Sequence, residues 1–148
     1  MSPWIANRPE EFARRYAPGL DEVCISITEP GRAEPAPPLP GFLAVLRLEF
    51  MDMDPARGYP ERDKRPRVYF TREQARQVAD FATTHRGRNI LVHCAAGISR
   101  SGAIVEAILQ AFPEYEDRGW PRHPNKHVKI LLKRALGIVP LGAEIEAP

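Results

Sequence analysis

The stretch "NILVHCAAGISRSGAIV", residues 89–105, constrains the fold of this chain more than any other. Residues 89–93 are a short run carrying Ile90, Leu91 and Val92, the composition of a strand buried on both faces. A loop of small residues with one glycine follows, from Cys94 to Arg100. Residues 99–112 then repeat with helical period and place Ile104, Val105, Ile108, Leu109 and Phe112 on one side. A buried strand that turns straight into an amphipathic helix needs other strands beside it and helices over it. That is the building unit of an α/β sheet.

The rest of the chain repeats the alternation. Residues 22–27, "EVCISI", and 43–50, "LAVLRLEF", read as strands. Between them, "TEPGRAEPAPPLPGF" (28–42) is too rich in proline for helix or ladder bonding and reads as a loop. Residues 8–17 read as a short helix, with Pro9 and two glutamates in its first turn. Residues 71–86 read as a longer one, because Thr71 and Gln74 have capping-box spacing and Ala75, Val78, Ala79, Phe81 and Ala82 share a face. Residues 125–137 start at an asparagine cap and end at glycine. The expected fold is a single α/β domain over residues 1–148, with a central, mostly parallel sheet of four or five strands and helices on both faces. In such sheets ligands sit at the carboxyl ends of strands, and Cys94 lies at one.

Charge narrows the partners. Lys and Arg number 21 against 19 Asp and Glu, a net charge of +2. This is too mild to point to nucleic acid or an anionic membrane. A basic cluster at 56–67 (Arg57, Arg62, Lys64, Arg65, Arg67) reads as a solvated loop, or as a rim that attracts an anionic substrate. No run approaches the roughly 20 apolar residues of a membrane helix, and no signal peptide is visible, so a cytoplasmic location is expected. Cys24 and Cys94 are too few for a disulfide framework. Cys24 reads as a core thiol, with a redox pairing to Cys94 supported by no spacing rule.

The loop carries the chemistry. Ala95, Ala96, Gly97, Ile98 and Ser99 let backbone N–H groups converge on one point, an anion nest. The following helix adds its positive end there. Arg100 can hold two oxygens of a phosphate in a fork. The loop is therefore a cup for a tetrahedral dianion. Helix N-termini and cations also favour thiolate over thiol, which makes Cys94 a nucleophile able to take a phosphoryl group onto sulfur. The hydroxyl of Ser101 could hydrogen-bond the sulfur and help it leave.

"HCAAGISRS" (93–101) resembles the signature of the cysteine-dependent protein tyrosine phosphatase superfamily: His-Cys, five residues, Arg, then Ser or Thr, with Gly97 at the family's glycine. The short chain is similar to the compact dual-specificity-like branch. The run from "CISITEPGR" through "LRLEF" to the loop looks like small bacterial or phage tyrosine-phosphatase-like proteins. The resemblance implies a phosphotyrosine phosphatase-like fold and hydrolysis of phosphotyrosine, with phosphoserine and phosphothreonine open as further substrates. It implies a phosphocysteine intermediate, no cofactor or metal, and a monomer acting on a phosphorylated protein. It gives His93 a supporting role near the loop, tuning the thiolate.

The family's general acid is an aspartate on a loop that precedes the cysteine and follows a strand. Here "MDMDP" (51–55) follows "LRLEF". Asp52 is the preferred candidate and Asp54 the alternative, with Asp63 a distant third. "GWPRH" (119–123) looks like the Trp-Pro-Asp loop of larger relatives, but Arg122 stands at the aspartate's place and the segment follows the nucleophile. Trp120 reads as packing and Pro121 as a loop breaker. Asn125 and Lys126 start the last helix, where both could reach the phosphate rim; for Asn125 the capping role is preferred. A phosphoprotein-binding pseudophosphatase is the alternative from another class. Phosphatases of RNA 5'-phosphates or phospholipids share the cup, though the loop interior lacks the lysines that meet a highly charged inositol lipid. Arsenate reductases and sulfurtransferases fit the cysteine count and the Arg-Ser ending less well.

Overall fold

The computed structural model describes residues 2–57 and 66–138. Among them, strands β1 (Trp4–Pro9), β2 (Val23–Thr28), β3 (Ala44–Glu49), β4 (Ile90–Cys94) and β5 (Glu116–Asp117) form one sheet in the order β3-β2-β4-β1-β5. Every neighbouring pair is parallel. The helices are α1 (Glu10–Arg15), α2 (Arg72–Thr84), α3 (Arg100–Ala111) and α4 (Lys126–Ala135). The expected α/β architecture with a central parallel sheet is the one observed.

Strands β2 and β4 are buried along their whole length, which is why both read as near-continuous apolar runs. Alternation along them separates two cores. On one face Ile25, Ile27, Val92 and Cys94 pack with Val78 of α2, Ile104 and Ile108 of α3, and Leu132 of α4. On the other, Ala6, Cys24 and Leu91 pack with Ala13 of α1 and Leu39 of the proline-rich stretch. Helices lie on both faces, as expected: α2, α3 and α4 share one, and the six-residue α1 lies on the other together with the 28–42 loop, with Tyr16 stacked on Phe42 at 6.0 Å.

The capping box of α2 is present: the Gln74 amide donates to Thr71 Oγ1 and the Thr71 amide to Gln74 Oε1, both at 3.1 Å. The expected helix over 8–17 is corrected. β1 runs through Pro9, which is extended with ψ of 162° and stands opposite Cys94 in register. Only Glu10–Arg15 is helical. The strand was hidden because "WIANRP" does not alternate, and because a proline followed by two glutamates also fits a helix start. The two-residue β5 gave no signal at all.

Cys24 is fully buried, and burial pushes its thiol up to about 12. It belongs to the core opposite Cys94, so the two thiols face away from each other across the sheet. No described helix is long and apolar enough to cross a membrane.

Candidate active site

β4 ends at Cys94, α3 begins at Arg100, and the loop between them lies at the carboxyl ends of β1, β2 and β4. Its conformation is set by where its carbonyls go. The Ala95 carbonyl accepts from the Glu10 amide (3.3 Å), and the Gly97 carbonyl from Asn7 Nδ2 (2.7 Å). The Ile98 carbonyl accepts from the His123 amide (3.2 Å), and the Ser99 carbonyl from the Ala103 and Asn125 amides (3.0 and 3.1 Å). The described chain has no cis peptide, and in a trans peptide C=O and N–H point in opposite directions. Four carbonyls tied outward to the scaffold therefore turn the amides of Ala96, Ile98, Ser99 and Arg100 away from it, toward the open side of the loop.

Gly97 makes this turn possible. Its φ is +75°, and a Cβ there would lie 2.2 Å from the Arg8 carbonyl carbon and 2.3 Å from the Pro9 nitrogen. The loop rests directly on β1, and Pro9 leaves no N–H beneath it to satisfy. Asn7, fully buried, donates to the loop and accepts from Arg122 Nη1 at 3.2 Å. Arg122 also pairs with Asp117 and Glu106. It is thus a strut behind the loop. Trp120, expected to pack, is 40% exposed, and the Arg8 guanidinium lies 5.3 Å from its ring.

At the floor, Cys94 Sγ lies 3.1 Å from Ser101 Oγ and accepts from the Ser101 amide at 3.5 Å. Arg100 is only 4% exposed. Its Nη1 donates to the Phe50 carbonyl (2.8 Å), just past β3, and lies 3.2 Å from Glu29 Oε1, just past β2. These two contacts fix the plane of the guanidinium. Among the described residues its other nitrogens donate to nothing.

Ser99 stands at the helix start but makes no side-chain cap. Its hydroxyl donates instead to Asp52 Oδ1 at 2.8 Å. Asn125 Nδ2 donates to the same oxygen at 2.9 Å and to the Met53 carbonyl at 3.0 Å, while Asn125 Oδ1 caps α4 by accepting from the Val128 amide. One cap residue thus fastens the helix and the Asp52 loop together. Asp54 accepts from the Ala56 amide at 3.0 Å, the geometry of a turn before and after Pro55. Both aspartates, with Arg57, Cys94, Ala95, Ala96, Ile98, Ser99, Arg100 and residues 123–126, line one cleft of about 610 Å³. Asp63 and the cluster residues Arg62, Lys64 and Arg65 lie outside the described residues.

His93 points to the opposite face of β4 from Cys94. Its Nε2 is 2.6 Å from Ser26 Oγ, and its buried Nδ1 has no hydrogen-bond partner among the described residues. Burial pushes the imidazole down to about 4, against upward pulls from Glu10 and the Cys94 backbone. Glu10, which anchors the Ala95 carbonyl through its amide, is held at about 2 chiefly by its hydrogen bond from Arg32. No three described His, Cys, Asp or Glu side chains gather to hold a metal ion.

Sequence reasoning brought Cys94, Arg100, Ser101, Asp52 and the loop residues to one place. It missed Asn7 and Glu29, and for Asn125 it preferred the cap over a place at the rim, without the bond to Asp52. Asn7 had no local signal, since its strand was not seen. No family model matches the chain, and no curated protein or solved structure is similar to it.

Proposed function

We propose that this chain is a cysteine-dependent phosphomonoester hydrolase acting on phosphotyrosine in proteins. The observation that supports it most is the floor of the cleft. A thiol there has a hydroxyl at 3.1 Å, a buried arginine with donors left over among the described residues, and a loop with four carbonyls tied outward to the scaffold. Such a cup stabilises the charge that develops on phosphoryl oxygens in transfer, and preset donors of this kind are commonly the largest catalytic contribution.

In the proposed cycle, Arg100 and the loop amides hold the phosphate over Cys94. The thiolate attacks phosphorus in line, so an S–P bond forms as the P–O bond to tyrosine breaks. Asp52 gives its proton to the departing oxygen. Water then attacks the phosphocysteine, Asp52 takes the proton, and phosphate leaves as Ser101 donates to the departing thiolate. Asp52 suits this role better than Asp54, because it is tied to the cup itself through Ser99. Ile98 and Pro124 in the cleft wall offer apolar surface to an aromatic ring.

The test is hydrolysis of para-nitrophenyl phosphate between about pH 4 and 8 with EDTA present. Turnover lost in Cys94→Ser and indifferent to EDTA is expected. Phosphotyrosine binding without turnover would replace this reading with that of a binding module.

A further inference from the structure

The cleft has a second cationic element besides Arg100. α4 starts against the cup, where the Asn125 amide donates to the Ser99 carbonyl. The next residue, Lys126, lines the same cleft, as do His123 of the same segment and Arg57. Consecutive Cα atoms are about 3.8 Å apart, so the Lys126 backbone is anchored beside the cup. Lys129 and Arg122 are paired with Glu106. Among the described residues, Lys126 and Arg57 have no ion pair. The two carboxylates of the cleft are already engaged, Asp52 by Ser99 and Asn125, and Asp54 by Ala56.

Lys126 also stands where helix energetics disfavour it. The first turn of α4 has no acidic residue, and its last turn has Lys133 and Arg134, as the helix dipole favours. A lysine at the first helical position adds positive charge to the positive end. The two fields sum in the open part of the cleft, past the site of the first phosphate.

We propose that the cleft selects phosphotyrosine flanked by an acidic residue, with Lys126, supported by Arg57, holding that second anionic group. This rests on the phosphatase reading. The experiment compares two phosphotyrosine peptides, one with glutamate and one with alanine on both sides. kcat/KM is measured for wild type, Lys126→Ala and Lys126→Glu, and para-nitrophenyl phosphate turnover by the wild type runs alongside. Equilibrium binding of both peptides to Cys94→Ser protein, with and without Lys126→Ala, gives a second readout.

An exposed ion pair supports a preference of about two- to five-fold for the acidic peptide. That preference should vanish in Lys126→Ala, invert in Lys126→Glu and shrink with added salt. Equal rates for both peptides in the wild type, or a preference untouched in Lys126→Ala, would overturn the inference and leave the phosphatase reading standing. No turnover of para-nitrophenyl phosphate would overturn the phosphatase reading, and the binding comparison would still decide whether Lys126 reads the second anion.

Discussion

Replacing Gly97 with alanine tests the loop geometry independently of any activity. Two costs add. An L-residue at φ of +75° is strained by about 1–2 kcal/mol. The new Cβ, 2.2 Å from the Arg8 backbone, also forces the loop off β1, and overpacking of this kind costs about 1–3 kcal/mol. Gly31 supplies the control: its φ is +68° and nothing lies within 4 Å of its added Cβ. Gly31→Ala should therefore show the backbone strain alone, about 1–2 kcal/mol. Gly97→Ala should lose about 2–5 kcal/mol. With a urea slope of about 2 kcal/mol/M, its midpoint falls by about 1–2.5 M. Urea unfolding of the three proteins measures both effects. Any Gly97→Ala protein that folds should also bind inorganic phosphate weakly, since the amides of Ile98 and Ser99 move with the loop. Equal midpoints for the two variants would refute the close approach to β1.

Asp52→Ala should cost about 10²–10⁴-fold in kcat with phosphotyrosine peptide and much less with para-nitrophenyl phosphate, whose activated leaving group needs little protonation; Asp54→Ala should cost little with either. Asn125→Ala removes the cap of α4 and a partner of Asp52. We expect about 1–2 kcal/mol less stability by urea unfolding, together with a lower kcat at similar KM, which loss of the cap alone would not give. Ser101→Ala should slow phosphocysteine breakdown, seen as a burst of nitrophenol followed by a reduced steady rate. His93 is depressed from 6.5 to about 4 by burial. The unfolded chain therefore binds a proton there that the folded one refuses, and stability falls as pH drops from about 6.5 toward 4, by up to about 3 kcal/mol. His93→Gln should flatten the slope of the urea midpoint between pH 6.5 and 5; an unchanged slope would place that titration elsewhere.

The strand, loop and helix around Cys94 were legible because each has its own local signature: an apolar run, small residues with one glycine, and a helical period. α2 was legible from Thr71 and Gln74, and α4 from Asn125. β1 was not, although it lies inside the sheet. Its neighbours select for fit rather than alternation: Asn7 is buried because it holds the Gly97 carbonyl, and Pro9 is tolerated because no amide is wanted there. These reasons sit about 90 residues away in sequence, beyond any local pattern. Long sequence separation likewise hid Glu29 and the Phe50 carbonyl, which orient Arg100 from two other strand ends. Asn125 shows both cases in one side chain, its cap readable from sequence and its bond to Asp52 visible only in the fold.

The most direct measurement is mass spectrometry of protein quenched in acid within milliseconds of mixing with phosphotyrosine peptide, with Ser101→Ala used to prolong the intermediate. A phosphoryl group on Cys94, absent from Cys94→Ser, is the predicted result. Peptide turnover with Cys94 unmodified at every time would contradict attack by the thiolate.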